Sequence, residues 1–183
     1  MRQKLYQNDL PSPTFQKIKL HDNPRALSSK LTYPCVLKPL NLSASQGVIR
    51  VNNAKEFIVA FKRIKKILLN LKIKYKTKIL PEILIEEYIE GEEVALEGVM
   101  INGTLTTLAI FDKPDPLEGP YFEETIYVTP SRKSEETRFL IKNMAEQAAN
   151  TIGLKEGPVH IELRIPPKKK NTNDKGPCVI EIA

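Results

Sequence analysis

The chain has 183 residues, 41% of them hydrophobic, and a formal net charge of +6, enough for one sizeable core or two small ones. No apolar run approaches the roughly 20 residues that a bilayer crossing needs, and Met1-Arg2-Gln3-Lys4 leads into polar residues rather than a secretory apolar stretch, so the expected location is cytoplasmic and away from membranes. Lysines spread over one helix face and two loops, with little aromatic interleaving, argue against a nucleic-acid partner and suit a polyanionic small molecule. Cys35 and Cys178 are too few and too far apart for a disulfide framework or a zinc site, and buried thiols are expected.

Residues 1–8 read as the end of a helix, after which Pro11 and Pro13 impose an extended segment toward Phe15. Tyr33 to Pro39 reads as a short strand closed by proline at both ends, with Lys38 where it stops. A small polar loop, Ser43-Ala44-Ser45-Gln46-Gly47, precedes the strand Val48 to Val51. Asn53, with Glu56 three residues on, caps a helix whose apolar positions are Phe57, Ala60, Phe61, Ile64, Ile67, Leu68 and Leu71. A basic loop through Lys78 to Pro81 leads into a strand over Ile83 to Ile89.

Asn102-Gly103 between β-rich arms predicts a type I′ hairpin over Val94 to Phe111. Counting back from that turn pairs Met100 with Leu105 and Glu97 with Leu108, which leaves Glu97 on a largely apolar face, where a carboxylate needs a reason. Residues 112–124 form a loop, Thr125 to Val128 a strand, and Ser134 opens a helix to about Thr151 with Phe139, Leu140, Met144, Ala148 and Ala149 as its apolar stripe and Gly153 as its stop. Val159 to Ile165 and Cys178 to Ala183 are the last strands, joined by a polar loop, Lys168 to Gly176, expected to be mobile.

Alternation puts His160, Glu162 and Arg164 on one face of their strand, and the strand around Glu181 carries the same arrangement. If the two strands pair, Glu162 and Glu181 converge on a hard divalent cation such as phosphate-bound magnesium; the plain alternative is a solvent-exposed acidic face. Lys38 followed by Ser43, Ser45 and Gly47 offers a cation, hydroxyls and open backbone to a phosphate chain, although the spacing is not that of a Walker loop. Glu86-Glu87-Tyr88-Ile89 is either a connector whose backbone meets an adenine edge or the end of an edge strand.

In combination and order these parts resemble the ATP-grasp superfamily along almost the whole chain, in particular its carboxylate–amine ligase branch that joins amino acids. The resemblance implies an α+β ATP-grasp fold: a small α/β lid subdomain with a preceding linker over 1–89, and a larger catalytic subdomain built on an antiparallel sheet with packed helices over 90–183. It implies ATP and Mg2+ as cofactors, with Mn2+ an acceptable substitute. Lys38 resembles the phosphate-binding strand lysine, Ser43, Ser45, Gln46, Gly47 and Val48 the flexible loop over the phosphates, and Lys4 an earlier phosphate-contacting lysine. Glu86, Glu87, Tyr88 and Ile89 resemble the adenine-reading hinge, with Glu86 or Glu93 suited to the exocyclic amine or the ribose.

Lys113 resembles a lysine directed at the terminal phosphate, a catalytic role it would share with Lys38, and Glu162 and Glu181 resemble the magnesium-bridging pair. Many relatives carry asparagine two residues after the second metal glutamate, where this chain has Ala183. The implied reaction is formation of an acyl phosphate from a small carboxylate and its capture by an amine. His160 either orients a neighbour or substrate, or is structural. The resemblance also implies that further parts of the enzyme belong on both sides of these residues, and an oligomer is compatible with it. Alternatives within the same pattern are a nucleotide-binding module without catalysis, a biotin-carboxylase-like enzyme, or a purine-precursor ligase.

Overall fold

The computed structural model describes residues 1–75, 82–167 and 176–183. The expected loop from Lys78 to Pro81 and most of that from Lys168 to Gly176 lie outside the described residues. In chain order the elements are α1 (Arg2–Gln7), β1 (Phe15–Lys19), α2 (Pro24–Ser28), β2 (Cys35–Pro39), β3 (Ile49–Val51), α3 (Ala54–Tyr75), β4 (Glu82–Glu87), β5 (Glu92–Ile101), β6 (Thr104–Lys113), α4 (Glu135–Ile152), β7 (Gly157–Ile165) and β8 (Cys178–Ile182). None of the described helices is long and apolar enough to cross a membrane.

Two compact units emerge. The smaller consists of Thr14–Tyr88 with Glu118–Glu123, and the larger of Met1–Pro13, Ile89–Leu117 and Glu124–Ala183. The smaller holds a four-stranded sheet in the order β1-β4-β2-β3, with all of its pairs antiparallel. Cys35, Leu37, Ile83 and Ile85 lie in one core with Phe57, Phe61 and Ile64 of α3, each large apolar side chain contributing roughly 2 kcal/mol on burial. Helix α3 begins as its sequence predicts, since Asn53 Oδ1 accepts from the amides of Lys55 and Glu56. Glu56 reaches back to the Asn52 amide, and that backbone bond is the main reason its carboxyl sits below the usual range. Two elements are additions to the sequence reading: β1, and α2 with Asn23 as its cap and Pro24 in its first turn.

The larger unit is a second antiparallel sheet, β6-β5-β7-β8. Its core face carries Val94, Leu96, Val159, Ile161 and Leu163 against α4, with Leu5 of α1 in the same core. The face of α4 that packs there is Ile141, Ala145, Ala148 and Ala149, whereas Phe139 and Leu140 are exposed. The expected stripe weighted large residues, but a helix approaches a sheet most closely on alanines, and the register follows them. Gly153, at φ 95°, ends the helix in the left-handed conformation that glycine accepts without strain. Thr125 to Val128 is not a strand: only Val128 pairs, with Asp112, and side-chain bonds from Thr125 to Asp115 and from Tyr127 to Glu124 hold the segment instead.

The hairpin turn has the expected form, with Asn102 and Gly103 at φ 51° and 79° and Met100 opposite Leu105. Glu97, however, pairs with Ala109 and Gly98 with Thr107, so Leu108 is an extra residue on β6. Gly98 accommodates this bulge by close approach, because a Cβ there would lie 2.7 Å from Leu105 Cδ1 and 2.9 Å from the Thr106 carbonyl oxygen.

Gly98→Ala is therefore expected to lower unfolding stability by roughly 1–3 kcal/mol, read as a lower urea midpoint. Burial pushes the Cys35 thiol from 9.0 up to about 11. A raised folded pKa stabilises the protonated form, so the thiol's contribution is complete below pH 9.0 and is lost as pH rises toward 11. Urea melts at pH 8 and pH 10.5 should show a smaller loss of stability in Cys35→Ala than in the parent chain, and iodoacetamide at pH 8 should modify Cys35 only slowly until the chain is unfolded.

Candidate functional site

With Val159, Ile161 and Leu163 of β7 committed to the core, alternation turns His160, Glu162 and Arg164 to the opposite face. Cross-strand pairing extends that face. Arg164 lies opposite Glu93, Glu162 opposite Ala95 and His160 opposite Glu97, while Glu93 is paired on its other side with Lys113 and Glu162 with Glu181. The metal-ligand pair expected from the sequence thus occupies directly opposed positions on β7 and β8, with Glu162 half-buried and Glu181 exposed. Glu97 also has its reason, an ion pair of 2.7 Å with His160 Nδ1.

Lys113 is at the centre of this face. Its side chain is 3% exposed, and Nζ donates to Glu93 at 2.9 Å, Glu124 at 2.5 Å and Glu162 at 2.6 Å. Burial by itself would lower its pKa, but the charges of Glu162 and Glu93 and the bonds to Glu124 and Glu162 outweigh it and raise the value. Burial likewise opposes ionisation of Glu162, yet His160, whose Nε2 lies 3.6 Å from its carboxylate, and Lys113 bring the carboxyl down to about 2. His160 is raised to about 9, chiefly by its ion pair with Glu162 and against burial, with Glu97 adding to the effect. Arg164 holds Glu93 from the other side at 2.9 Å and donates to the carbonyls of Ile89 and Leu117. Among the described residues, no buried side-chain nitrogen or oxygen lacks a hydrogen-bond partner.

The face offers carboxylate oxygens, the hard donors that magnesium prefers. Those of Glu93, Glu124 and Glu162 lie within 4.8 Å of one another, but the Lys113 ammonium already bonds to all three, so a divalent cation fits here through Glu162 and its cross-strand neighbour Glu181 rather than at the centre of that cluster. Glu124 had no sequence signal, since it lies in a proline-rich loop and reaches the face only because Asp112 anchors both ends of that loop. The Asp112 backbone pairs with Val128, and its carboxylate accepts from Ser131 Oγ at 2.6 Å and from the Arg132 amide at 2.8 Å. Arg164 as the clamp on Glu93 was equally unannounced, although its alternation with Glu162 was legible.

The smaller unit carries the remaining candidates. Lys38 and Glu86 form an ion pair of 3.0 Å in which Glu86 is 3% exposed. Arg50 lies 3.9 Å above the Tyr88 ring, and Glu87 accepts from Thr14. Ser43, Ser45, Gln46, Gly47 and Val48 form an exposed to half-buried turn, with Ala44, Ser45 and Gly47 at φ 52°, 54° and 74°. Lys4 is not brought to the acidic face: it is on α1, on the helical side of the larger sheet, where Nζ donates to the Ile152 carbonyl at 2.8 Å near the end of α4.

The ATP-grasp domain family model matches residues 31–182. An alanine–anticapsin ligase of Bacillus subtilis is 28% identical over 153 residues, which cover 77% of this chain and 32% of that protein. A D-alanine–D-alanine ligase of Fervidobacterium nodosum is 26% identical over 80% of this chain and 43% of its own length. The crystal structure of an L-amino acid ligase from Bacillus licheniformis superposes with a TM-score of 0.76 at 32% identity, covering 99% of this chain and 38% of that one. The chain thus spans about a third of the length of the curated relatives it first matches. A family match over most of the length, on a chain that pairs Glu162 with Glu181 across two antiparallel strands, makes this protein a member of the ATP-grasp family.

Proposed function

We propose that this chain supplies the nucleotide- and metal-binding machinery of an ATP- and magnesium-dependent ligase that joins a small carboxylate, an amino acid or a close analogue, to an amine through an acyl phosphate. The observation that carries the reading is the direct opposition of Glu162 and Glu181, beside a buried lysine that already neutralises part of the acidic face. The branch is favoured by relatives that are an alanine–anticapsin ligase, a D-alanine–D-alanine ligase and an L-amino acid ligase.

In this proposal Glu162 and Glu181 hold magnesium, which when bound offsets charge on the phosphates. Lys38 and the Ser43–Val48 turn contact the phosphate chain, and the backbone of Glu86 to Ile89 reads the adenine edge. Lys113 faces the transferred phosphoryl group. Because neighbouring carboxylates hold it as an ammonium, its role is electrostatic and it gives up no proton. Arg164 and Glu93 keep Lys113 in place, and His160 orients Glu162. No side chain is required as a covalent nucleophile.

Calorimetry with the non-hydrolysable analogue AMP-PNP tests the reading. Tight binding should require Mg2+, and Glu162→Gln should weaken the Mg2+-dependent affinity by roughly tenfold or more while leaving metal-free binding near its starting value. Equal affinity with and without Mg2+ in the parent chain would reject the metal assignment. Removing Lys38 alone would also take a cation from the buried Glu86, so a loss of stability would be mixed with any loss of affinity. The informative comparison is therefore Lys38→Met with Glu86→Gln against Glu86→Gln alone, where nucleotide affinity should fall by about 2 kcal/mol. For the ligase step, a protein that carries this domain over the full length of the relatives should release phosphate from ATP in the presence of alanine and a second L-amino acid and form a dipeptide.

A further inference from the structure

In β8, Glu181 pairs with Glu162, but the next pair is Val179 with Leu163, which leaves Ile180 as an extra residue. Paired residues share a face, so the core side of this strand is Val179 and then Ile182, three residues apart. A regular strand alternates strictly and would have put Glu181 on the core side with Val179. The one-residue bulge reverses the parity and sends Glu181 to the face of Glu162.

Arg2 holds that bulge. It is 5% exposed, and its guanidinium donates from Nη1 to the Val179 carbonyl at 2.7 Å and from Nη2 to the Ile180 carbonyl. In a regular strand successive carbonyls point to opposite edges, so one planar fork meets both only where the strand is bulged. The same outer edge of β8 is held at Val179, whose amide donates to the Pro11 carbonyl at 2.9 Å. Residues at the start of the chain thus fix the conformation of a strand near its other end.

We propose that Arg2 is a positioning residue for metal binding: by capturing the Val179 and Ile180 carbonyls it fixes the bulge that turns Glu181 toward Glu162. The inference rests on the metal role proposed above for Glu181. It predicts that changes at Arg2, on a helix on the other side of the sheet, act on metal affinity without touching nucleotide or metal.

Mn2+ binding, followed by electron paramagnetic resonance in the presence of AMP-PNP, separates this role from a general structural one. In the full chain, Arg2→Met, which keeps the apolar stem, and Arg2→Gln, which keeps one amide donor, should each weaken Mn2+ binding roughly tenfold. AMP-PNP affinity without metal should stay unchanged. Combining Arg2→Gln with Glu181→Gln should cost no more Mn2+ affinity than Glu181→Gln alone, because the arginine acts through that carboxylate. Unchanged Mn2+ affinity in Arg2→Gln, an equal loss of metal-free nucleotide binding, or full additivity with Glu181→Gln overturns the role. Should Arg2→Met not fold, Arg2→Gln decides. If Glu181→Gln alone leaves Mn2+ binding intact, the metal reading falls and this one with it; a loss in Glu181→Gln with none in Arg2→Gln removes only the positioning role.

Discussion

A buried ammonium surrounded by carboxylates organises the larger unit. Lys113, Glu93 and Glu162 have each given up much of their hydration, with the exposed Glu124 closing the group from the solvent side, and such a set of charges is tolerable only when the buried members keep their partners. That requirement ties together β5, β6, β7 and the loop after β6, because losing any one of them would strand a charge. It also leaves the face acidic. Glu93, Glu97, Glu124, Glu162 and Glu181 outnumber Lys113, Arg164 and a protonated His160, so the surplus is negative where a divalent cation is proposed to bind.

The same sheet shows how little backbone irregularity is needed to aim such a face. Leu108 on β6 and Ile180 on β8 are each one residue too many for a regular ladder. The first sets Glu97 beside Ala109 and leaves its other side to His160, and the second carries Glu181 across the strand. Each irregularity has a local support, the first in Gly98, whose missing side chain admits Leu105 and the Thr106 carbonyl, and the second in the Arg2 fork. Bulges of this kind re-aim side chains at the cost of a ladder hydrogen bond, and in β8, the edge strand, the compensating contact comes from outside the sheet.

In the smaller unit the arrangement is simpler. β2 and β4 are neighbours in an antiparallel sheet, and Lys38 and Glu86 meet as an ion pair while Leu37 and Ile85 turn to the helix. The face that carries Lys38 and Glu86, together with the apolar Val36 and Leu84, is what remains once the other is committed to α3. The turn after β2 takes up left-handed backbone at Ala44 and Ser45 as well as Gly47, a conformation that a side chain normally disfavours and that is common in ligand-binding turns.

Much was legible in the residues themselves. The period of the apolar positions, the Asn53 and Ser134 caps and the Asn102-Gly103 turn determined the two long helices and the hairpin, because these signals act within a few residues of one another. Alternation in Val159 to Arg164 likewise determined which residues of β7 share a face. What the tertiary structure decided is long-range: the choice of alanines over Phe139 and Leu140 as the buried side of α4, the arrival of Glu124 through its loop, and the parity of Glu181. Strict alternation applied to Cys178 to Ile182 puts Glu181 on the side of Val179, and only pairing with β7, together with an arginine 179 positions earlier than Glu181, turns it the other way. A bulge has no local code of its own, since it is stable only when a partner strand and an outside donor satisfy the groups it displaces.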